Sequence, residues 1–486
     1  MSSSRFRTSW KPGTTFSLNF APTIRRDRSM NQIAIFVSFL LGLAVFSNAA
    51  DSPPNIIFIL VDDMGYGDLG CTGSEDIHTP NIDRIAAQGV QLTDFYANAP
   101  ICTPTRAGFM TGRWQQRLGL EFAFGHGGVN GAEQQVLVDG KWVPETDPHG
   151  LGLPLKAKTL ANYLKEAGYA TGAFGKWHLG YRDIYNPVNR GFDEYFGELL
   201  GHADYYKHAY ADGTYALRDG LDPVRMEGKY FTDLVNERAA NFVRKNADNP
   251  FFLYVPHLAV HAPFQPPDVP DTPFVTREAM LSGSREIYKA MLERIDDGVG
   301  AIYAELEKAD ILDNTLMVFS SDNGGERWAS NLPFFHHKAT LWEGGIRVPC
   351  LLSWPRVLPK GVKSAQAGIT MDLAPTFLKV AGGTLPKAVP FDGIDLLPYL
   401  TGKEPLTDRT FYWRMDRSNR RVKAIRHGQW KYQNDGGMDL LFDLSEDLGE
   451  RINLYYQHPE IAANLKAKLN VWETEMDASD YDMQIR

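Results

Sequence analysis

At 486 residues, 43% hydrophobic and 22% charged, the chain has the length and composition of a globular protein able to bury a large core. Its formal net charge of −9 argues against nucleic acid as a partner, because phosphate binding wants a basic surface, but it leaves room for a small anion in a local basic pocket. Three cysteines, Cys71, Cys102 and Cys350, are too few for a disulfide framework, although one pair plus a free thiol fits the count.

In chain order, the first signal is the apolar run from Ile33 to Phe46 (IAIFVSFLLGLAVF). At about fourteen residues it is too short for a stable membrane span and suits the core of a signal peptide. Ser47 and Ala49 fit the small-x-small cleavage rule, so the pattern predicts a mature start near Ala50 and an exported product, periplasmic or secreted. Met30 would open such a signal by itself; the other reading starts at Met1 and uses Arg25–Arg28 as a positive n-region.

Four short apolar runs then read as buried strands: Ile56–Val61, Ala170–Phe174, Phe251–Val255 and Leu316–Ser320. Helical patterns lie between them at Pro80–Gln88, Thr159–Ala167 and Ser284–Lys308. This alternation predicts an α/β fold with a large central, mostly parallel sheet flanked by helices. After about Leu400 come short strand-like segments at Thr410–Trp413, Val422–Arg426, Trp430–Gln433 and Leu440–Leu444, then a helix from Pro459 to Met476. They predict a small C-terminal antiparallel sheet plus helix. The expected division is 1–49 as extension and signal peptide, 50–400 as the main α/β domain and 401–486 as a small α+β subdomain.

Ligands of an open parallel sheet bind beyond the carboxyl ends of its strands. Ile56–Val61 is followed by Asp62-Asp63, and Ala170–Phe174 by Gly175-Lys176-Trp177-His178. Phe251–Val255 leads to His257 and His261, and Leu316–Ser320 leads, one serine later, to Asp322-Asn323. Four runs ending in such groups predict one site. Asp62, Asp63, Asp322 and Asn323 offer hard oxygen ligands, which suit Ca²⁺ or Mg²⁺ and argue against zinc. Either pair alone reads equally well as loop or helix-capping residues. In Ile101–Arg113, Pro104 fits a first helical turn and Gly112 a stop, which puts Cys102 at a helix N-terminus with Arg106 four residues on. The plain alternative is a buried cysteine beside a capped helix.

Cys102-Thr103-Pro104-Thr105-Arg106 with Thr111-Gly112 resembles the type I sulfatase motif, with Thr105 where that family usually has serine. Asp62-Asp63-Met64-Gly65-Tyr66-Gly67-Asp68 resembles its first metal loop, Ser321-Asp322-Asn323-Gly324 its second, and Gly175–Gly180 its lysine–histidine motif. Lys338 with Trp342–Pro349, and Leu441–Glu450, are similar to two further blocks, and the likeness runs from about residue 54 to 470. The resemblance implies an alkaline phosphatase-like fold and a sulfuric ester hydrolase acting on a sulfated carbohydrate or aryl sulfate. It implies one Ca²⁺ held by Asp62, Asp63, Asp322, Asn323 and residue 102. Cys102 would be oxidised to formylglycine (3-oxoalanine) by a formylglycine-generating enzyme, and its hydrated form would attack sulfur.

By the same resemblance Lys176 and Lys338 hold sulfate oxygens, Arg106 orients the nucleophile, His261 protonates the leaving alcohol and His178 takes the later proton. His261, beside Ala262-Pro263-Phe264-Gln265, matches the family's histidine better than His257, although Val260 stands where proline is common. Two other functions compete: a phosphodiesterase or phosphonate hydrolase of the same superfamily, and a non-catalytic sulfated-glycan binder. The aromatic and His-rich insertion Gly201-His202-Ala203-Asp204-Tyr205-Tyr206 is expected to line the substrate pocket. The basic residues Arg414, Arg417, Arg420, Arg421, Lys423 and Arg426 form either a solvated face or a polyanion track.

Overall fold

A strand buried on both faces carries apolar side chains at every position, and Asn55–Val61 (NIIFILV) is such a strand, with all seven residues buried. The computed structural model describes residues 52–123, 135–138, 141–144, 152–210, 213–270, 280, 282–417 and 420–478. The expected leader, Ile33–Phe46, lies outside them.

The chain begins with β1 (Asn55–Val61), α1 (Pro80–Ala87), β2 (Val90–Leu92), β3 (Phe95–Tyr96), α2 (Cys102–Thr111), β4 (Gln135–Val138) and β5 (Lys141–Pro144). It continues through α3 (Leu160–Glu166), β6 (Ala170–Lys176), β7 (Glu194–Glu198), β8 (Leu217–Asp219), β9 (Asp222–Pro223), α4 (Phe231–Lys245) and β10 (Phe251–Pro256). Next come α5 (Arg285–Lys308), β11 (Thr315–Ser321), α6 (Glu343–Ile346), β12 (Cys350–Ser353), β13 (Val362–Ser364), β14 (Gly368–Ile369), α7 (Leu373–Val380) and α8 (Leu397–Leu400). Last are β15 (Thr410–Arg417), β16 (Arg420–His427), β17 (Trp430–Asp435), β18 (Met438–Asp443) and α9 (Pro459–Asp477).

The main sheet has the order β13-β2-β12-β11-β1-β10-β6-β7-β8-β9. Its centre, β11-β1-β10-β6-β7, is wholly parallel. Antiparallel pairs involving β12 and β8 flank it. Alternate side chains of β1 face opposite layers: Ile57, Ile59 and Val61 pack with residues of α1, α4 and α5, while Ile56, Phe58 and Leu60 pack with α2, α3 and α7. Burying each of these large side chains contributes about 1.5–3 kcal/mol, so the strand ends project from a stiff platform.

Strands β15–β18 form a four-stranded antiparallel sheet. Phe411, Trp413 and Ile425 of this sheet share one apolar cluster with Leu465 and Leu469 of α9 and with Tyr96 and Ile346. Lys431 Nζ, fully buried, lies 2.9 Å from Glu343 Oε1 and 2.8 Å from Glu450 Oε1, fixing α6 against this sheet. The basic residues here are mostly paired rather than open. Arg414 meets Glu121 and Asp477, Arg426 meets Asp94, Arg421 meets Asp416, and Lys423 meets Glu473. Arg414 and Lys423 tie the sheet to α9, Arg426 ties it to the main layer and Arg421 pairs within the sheet, so these four form no free cationic track; the side chains of Arg417 and Arg420 are outside those described. Cys71, Cys102 and Cys350 are all free. Among the described residues no helix is long and apolar enough to cross a membrane.

Candidate active site

The four central strands deliver their ends to one place. Asp62 and Asp63 follow β1, Lys176 closes β6, Asp322 and Asn323 follow β11, and the turn after β10 carries His261. Cys102 is the first residue of α2, with Ile101 extended ahead of it and Gly112 left-handed (φ 64°) at the close. The Thr105 hydroxyl donates to Ala99 O (2.9 Å) and accepts from Ala99 N (3.0 Å), which fixes the approach to Cys102 with the same group serine would offer. Asp63 (φ 63°) and His178 (φ 55°) hold left-handed backbone that only glycine adopts cheaply. Where β6 passes β10 the residue must be Gly175, because a Cβ there would stand 2.0 Å from Pro256 O.

Arg106 is fully buried and organises the floor. Its Nε and Nη2 donate to Asp322 Oδ2 at 3.0 and 2.8 Å, and its Nη1 donates to Lys176 O at 2.6 Å. The Lys176 ammonium is paired with Asp62. Lys338 Nζ sits 2.6 Å from Asp63 Oδ1, and Asn323 Nδ2 donates to the same oxygen at 2.7 Å. His261 Nε2 is 3.6 Å from Asp63 Oδ2, and its Nδ1 is 2.6 Å from Ala262 O. A carbonyl only accepts, so Nδ1 carries the proton and Nε2 faces the cluster as the free nitrogen. His178 is buried with its ring against Gly201, where an added Cβ would come within 2.6 Å of Cε1. His257 is also buried, but burial alone pushes its imidazole down to about 3 and no charged group acts on it. Of the two histidines after β10, the structure brings His261 to the cluster.

The electrostatics describe a crowd of carboxylates under shared cations. Burial and the neighbouring Asp62 and Asp322 push Asp63 up to about 7 against the pull of Lys338. Burial and Asp62 likewise push Asp322 up to about 6, despite Arg106. Burial opposes ionisation of Asp62 too, yet Lys176, with Arg106 and Lys338, holds it well below the usual carboxylate range. Burial pushes the Cys102 thiol up, and burial with Lys338 pushes His261 well down.

These residues fit a hard divalent cation. Ligand atoms of Asp62, Cys102 and Asp322, and of Asp62, Asp63 and His261, lie within 4.8 Å of one another. Asp62 Oδ1 and Asn323 Oδ1 are buried acceptors that receive no hydrogen bond, an expensive condition unless another positive group meets them. Oxygen donors dominate the set, as Ca²⁺ and Mg²⁺ prefer.

Two roles here were not legible in the sequence, although Asp68 stands inside the first metal-loop motif. Asp68, fully buried, accepts from Gly65 N (3.0 Å), Tyr288 OH (2.5 Å), Arg285 Nη1 (2.7 Å) and Ser330 N (3.0 Å), clamping the Asp62–Asp63 loop to the segment that leads to Lys338. Glu198, in register with Lys176 on the next strand, is pushed up to about 8 by burial. Its place at a strand end was the available signal. The pocket-lining role expected of the aromatic insertion is corrected for its two tyrosines: Tyr205 and Tyr206 are 0% and 2% exposed and packed into the core. They are buried because Tyr205 stacks on Tyr230 (centroids 5.3 Å, 21°) and both hydroxyls bond backbone carbonyls.

Comparison with known proteins adds sequence-wide likeness. The family model Sulfatase matches residues 54–383, and the model for the N-sulphoglucosamine sulphohydrolase C-terminal region matches residues 333–475. N-acetylgalactosamine-6-sulfatase of Homo sapiens is 34% identical over 485 residues, covering 89% of this chain and 87% of its own. The Canis lupus familiaris protein of that name is 36% identical over 405 residues, covering 79% and 72%. Among solved structures, Ps i-CgsB superposes with a TM-score of 0.77 at 32% identity, covering 88% of this chain and 95% of its own. The same protein has also been solved in complex with k-i-k-neocarrahexaose at the same TM-score and identity.

Proposed function

This chain belongs to the sulfatase family and is a sulfuric ester hydrolase, and from that premise we propose that its substrate is a sulfated carbohydrate, cleaved at Cys102 after oxidation to formylglycine with one Ca²⁺ bound. The observation that carries the reading is the cluster of buried Asp62, Asp63, Asp322, Asn323, Arg106 and Lys176, with half-buried Lys338 and His261, around Cys102, with unmet acceptors on Asp62 and Asn323. N-acetylgalactosamine-6-sulfatase, and a neighbour solved with a bound hexaose, support the carbohydrate class. The relatives above 30% identity that carry an activity in their names are sulfatases, which favours this reading over a phosphodiesterase, phosphonate hydrolase or glycan binder.

A divalent cation held by Asp62, Asp63, Asp322 and Asn323 would neutralise charge at the nucleophilic and sulfate oxygens, and formylglycine would supply a hydrated aldehyde able to release sulfate afterwards. The chain's own groups do the rest. Arg106 keeps Asp322 aimed through two hydrogen bonds and ties it to β6 through Lys176 O. Lys176 and Lys338 offer ammonium groups to sulfate oxygens. Burial and Lys338 favour the neutral form of the His261 imidazole, and an anionic ester set beside it favours the imidazolium. Nε2–H then donates to the departing ester oxygen, with Nδ1 anchored on Ala262 O. His178 takes the proton that lets sulfate leave residue 102.

The division into a leader (1–49), a catalytic part (50–400) and a C-terminal α+β part (401–486), and export through that leader, belong to the same proposal, as does maturation by a formylglycine-generating enzyme. The test is turnover of a panel comprising p-nitrophenyl sulfate, N-acetylgalactosamine 6-sulfate and sulfated carrageenan oligosaccharides. Sulfate release from at least one sugar, abolished by Cys102→Ala in a folded protein, is expected. Activity surviving that substitution would remove the nucleophile assignment, and release from the aryl ester alone would remove the carbohydrate class.

A further inference from the structure

A general acid works only if its proton points at the departing atom, so what holds His261 matters as much as its identity. Its backbone N–H donates to Leu258 O at 3.0 Å and its Nδ1 to Ala262 O at 2.6 Å. The His261 carbonyl accepts from Tyr205 OH at 2.9 Å, which leaves Nε2 facing the cluster. Tyr205 arrives from a segment more than fifty residues away in sequence.

Tyr205 is itself fixed on every side. Its N–H donates to Gln265 Oε1 (2.8 Å), and its carbonyl accepts from Phe231 N (2.8 Å). Its ring stacks on Tyr230, whose hydroxyl donates to Gln265 O (2.9 Å). Gln265 in turn donates from Nε2 to Asp204 Oδ2 (3.0 Å). The bracket therefore grips the His261–Gln265 segment at both ends. From the other side the turn is bonded to the metal loop: Asp62 N donates to Ala259 O (3.2 Å) and Val260 N to Asp62 O (2.9 Å).

We propose that Tyr205 is a positioning residue for catalysis: its hydroxyl, bonded to the His261 carbonyl, holds the His261 imidazole in line with the leaving-group oxygen. The proposal rests on the assignment of His261 as the acid. Tyr205 touches no substrate atom; it acts only through His261. A sugar alkoxide cannot leave without a proton, whereas p-nitrophenolate leaves readily without one. Loss of aim at His261 must therefore slow sugar sulfates far more than the nitrophenyl ester.

The experiment compares Tyr205→Phe, Tyr206→Phe and His261→Ala in the matured full-length enzyme, with p-nitrophenyl sulfate and the best sugar sulfate of the panel. Tyr206→Phe is the structural control: it removes a hydroxyl that donates to Pro266 O (2.9 Å) and accepts from Val269 N (2.9 Å) in the same bracket, without touching His261. For Tyr205→Phe the expected result is a kcat loss of about 10- to 100-fold on the sugar sulfate, a loss below about threefold on the aryl ester, and KM within about twofold on both. Tyr206→Phe should show no such split. If His261→Ala lacks the split, the acid assignment itself falls. If His261→Ala shows it and Tyr205→Phe loses activity equally on both esters, or not at all, the positioning role is overturned.

Discussion

Replacing Arg106 by lysine keeps the charge and removes the geometry, so it isolates what the guanidinium does. Nε and Nη2 both bond Asp322 Oδ2, at 3.0 and 2.8 Å, while Nη1 bonds Lys176 O at 2.6 Å. A single ammonium on a flexible stem can keep one of these three contacts in good geometry and loses two. Hydrogen bonds to charged groups are each worth about 1.5–3 kcal/mol net, and the retained charge offsets part of the loss, which leaves about 3 kcal/mol. Asp322, already pushed up to about 6, then rises further with weaker support and is less often ionised at neutral pH. If the loss falls on the calcium-binding state, about 3 kcal/mol corresponds to roughly a hundredfold more free calcium for half-maximal turnover. The assay is turnover against free calcium in a chelator buffer, alongside urea unfolding in excess calcium. Arg106→Lys with wild-type calcium dependence, kcat and stability within about 0.5 kcal/mol would refute the claim that this fork holds Asp322 in place.

Mass spectrometry of the peptide spanning Cys102, from a host that carries the maturation enzyme, should show sulfur replaced by oxygen; full activity with an intact thiol would remove formylglycine from the scheme. Glu450 gives a pH signature away from the site: burial, with Glu343 adding to it, pushes its carboxyl from 4.5 up to about 7. A folded value above the unfolded one means that Glu450 contributes stability fully below pH 4.5 and loses it as pH rises through about 7, by up to about 1.4 kcal/mol per pH unit. Glu450→Gln should flatten urea midpoints between pH 5 and 7, and an unchanged slope would reject the assignment. Glu343→Gln leaves Lys431 with weaker compensation at 0% exposure, so a loss of about 3–5 kcal/mol is expected in the same assay, and a neutral result would contradict the bridging role of that ion pair.

The parts of the fold legible in the sequence were those whose physics is local. Strands β1, β6, β10 and β11 announce themselves because burial on both faces makes each a short continuous apolar run, and a polar residue immediately after such a run stands out. Short edge strands such as β8 (Leu217–Asp219) and β13 (Val362–Ser364) have too few residues to show any period. The first ligand loop was readable through Asp68, but the clamping role of Asp68 was not, because the partners that define it, Tyr288, Arg285 and Ser330, come from more than two hundred residues away. Tyr205 failed for a related reason. An aromatic residue in an irregular segment looks the same whether it faces a ligand or the core, and only its stack on Tyr230 and its bond to His261 O decide between them.

The charge count of the pocket resolves how a chain of net charge −9 comes to bind an anion, and it yields a further test. Asp62, Asp63 and Asp322 face Arg106, Lys176 and Lys338, three against three, with Lys176 on Asp62 and Lys338 on Asp63. The lysines are engaged by carboxylates, and the protons that burial favours on Asp63 and Asp322 relieve only part of that competition with sulfate. A divalent cation on the carboxylates adds two positive charges and leaves both ammonium groups available to an anion. Sulfate binding should therefore depend on calcium, independently of catalysis. Titration of sodium sulfate into Cys102→Ala protein, followed by calorimetry, should give measurable affinity in calcium and at least tenfold weaker affinity after chelation, about 1.4 kcal/mol. Equal affinity in both conditions would show that the lysines are free without the metal, and the carboxylates would then need another explanation for their place at the strand ends.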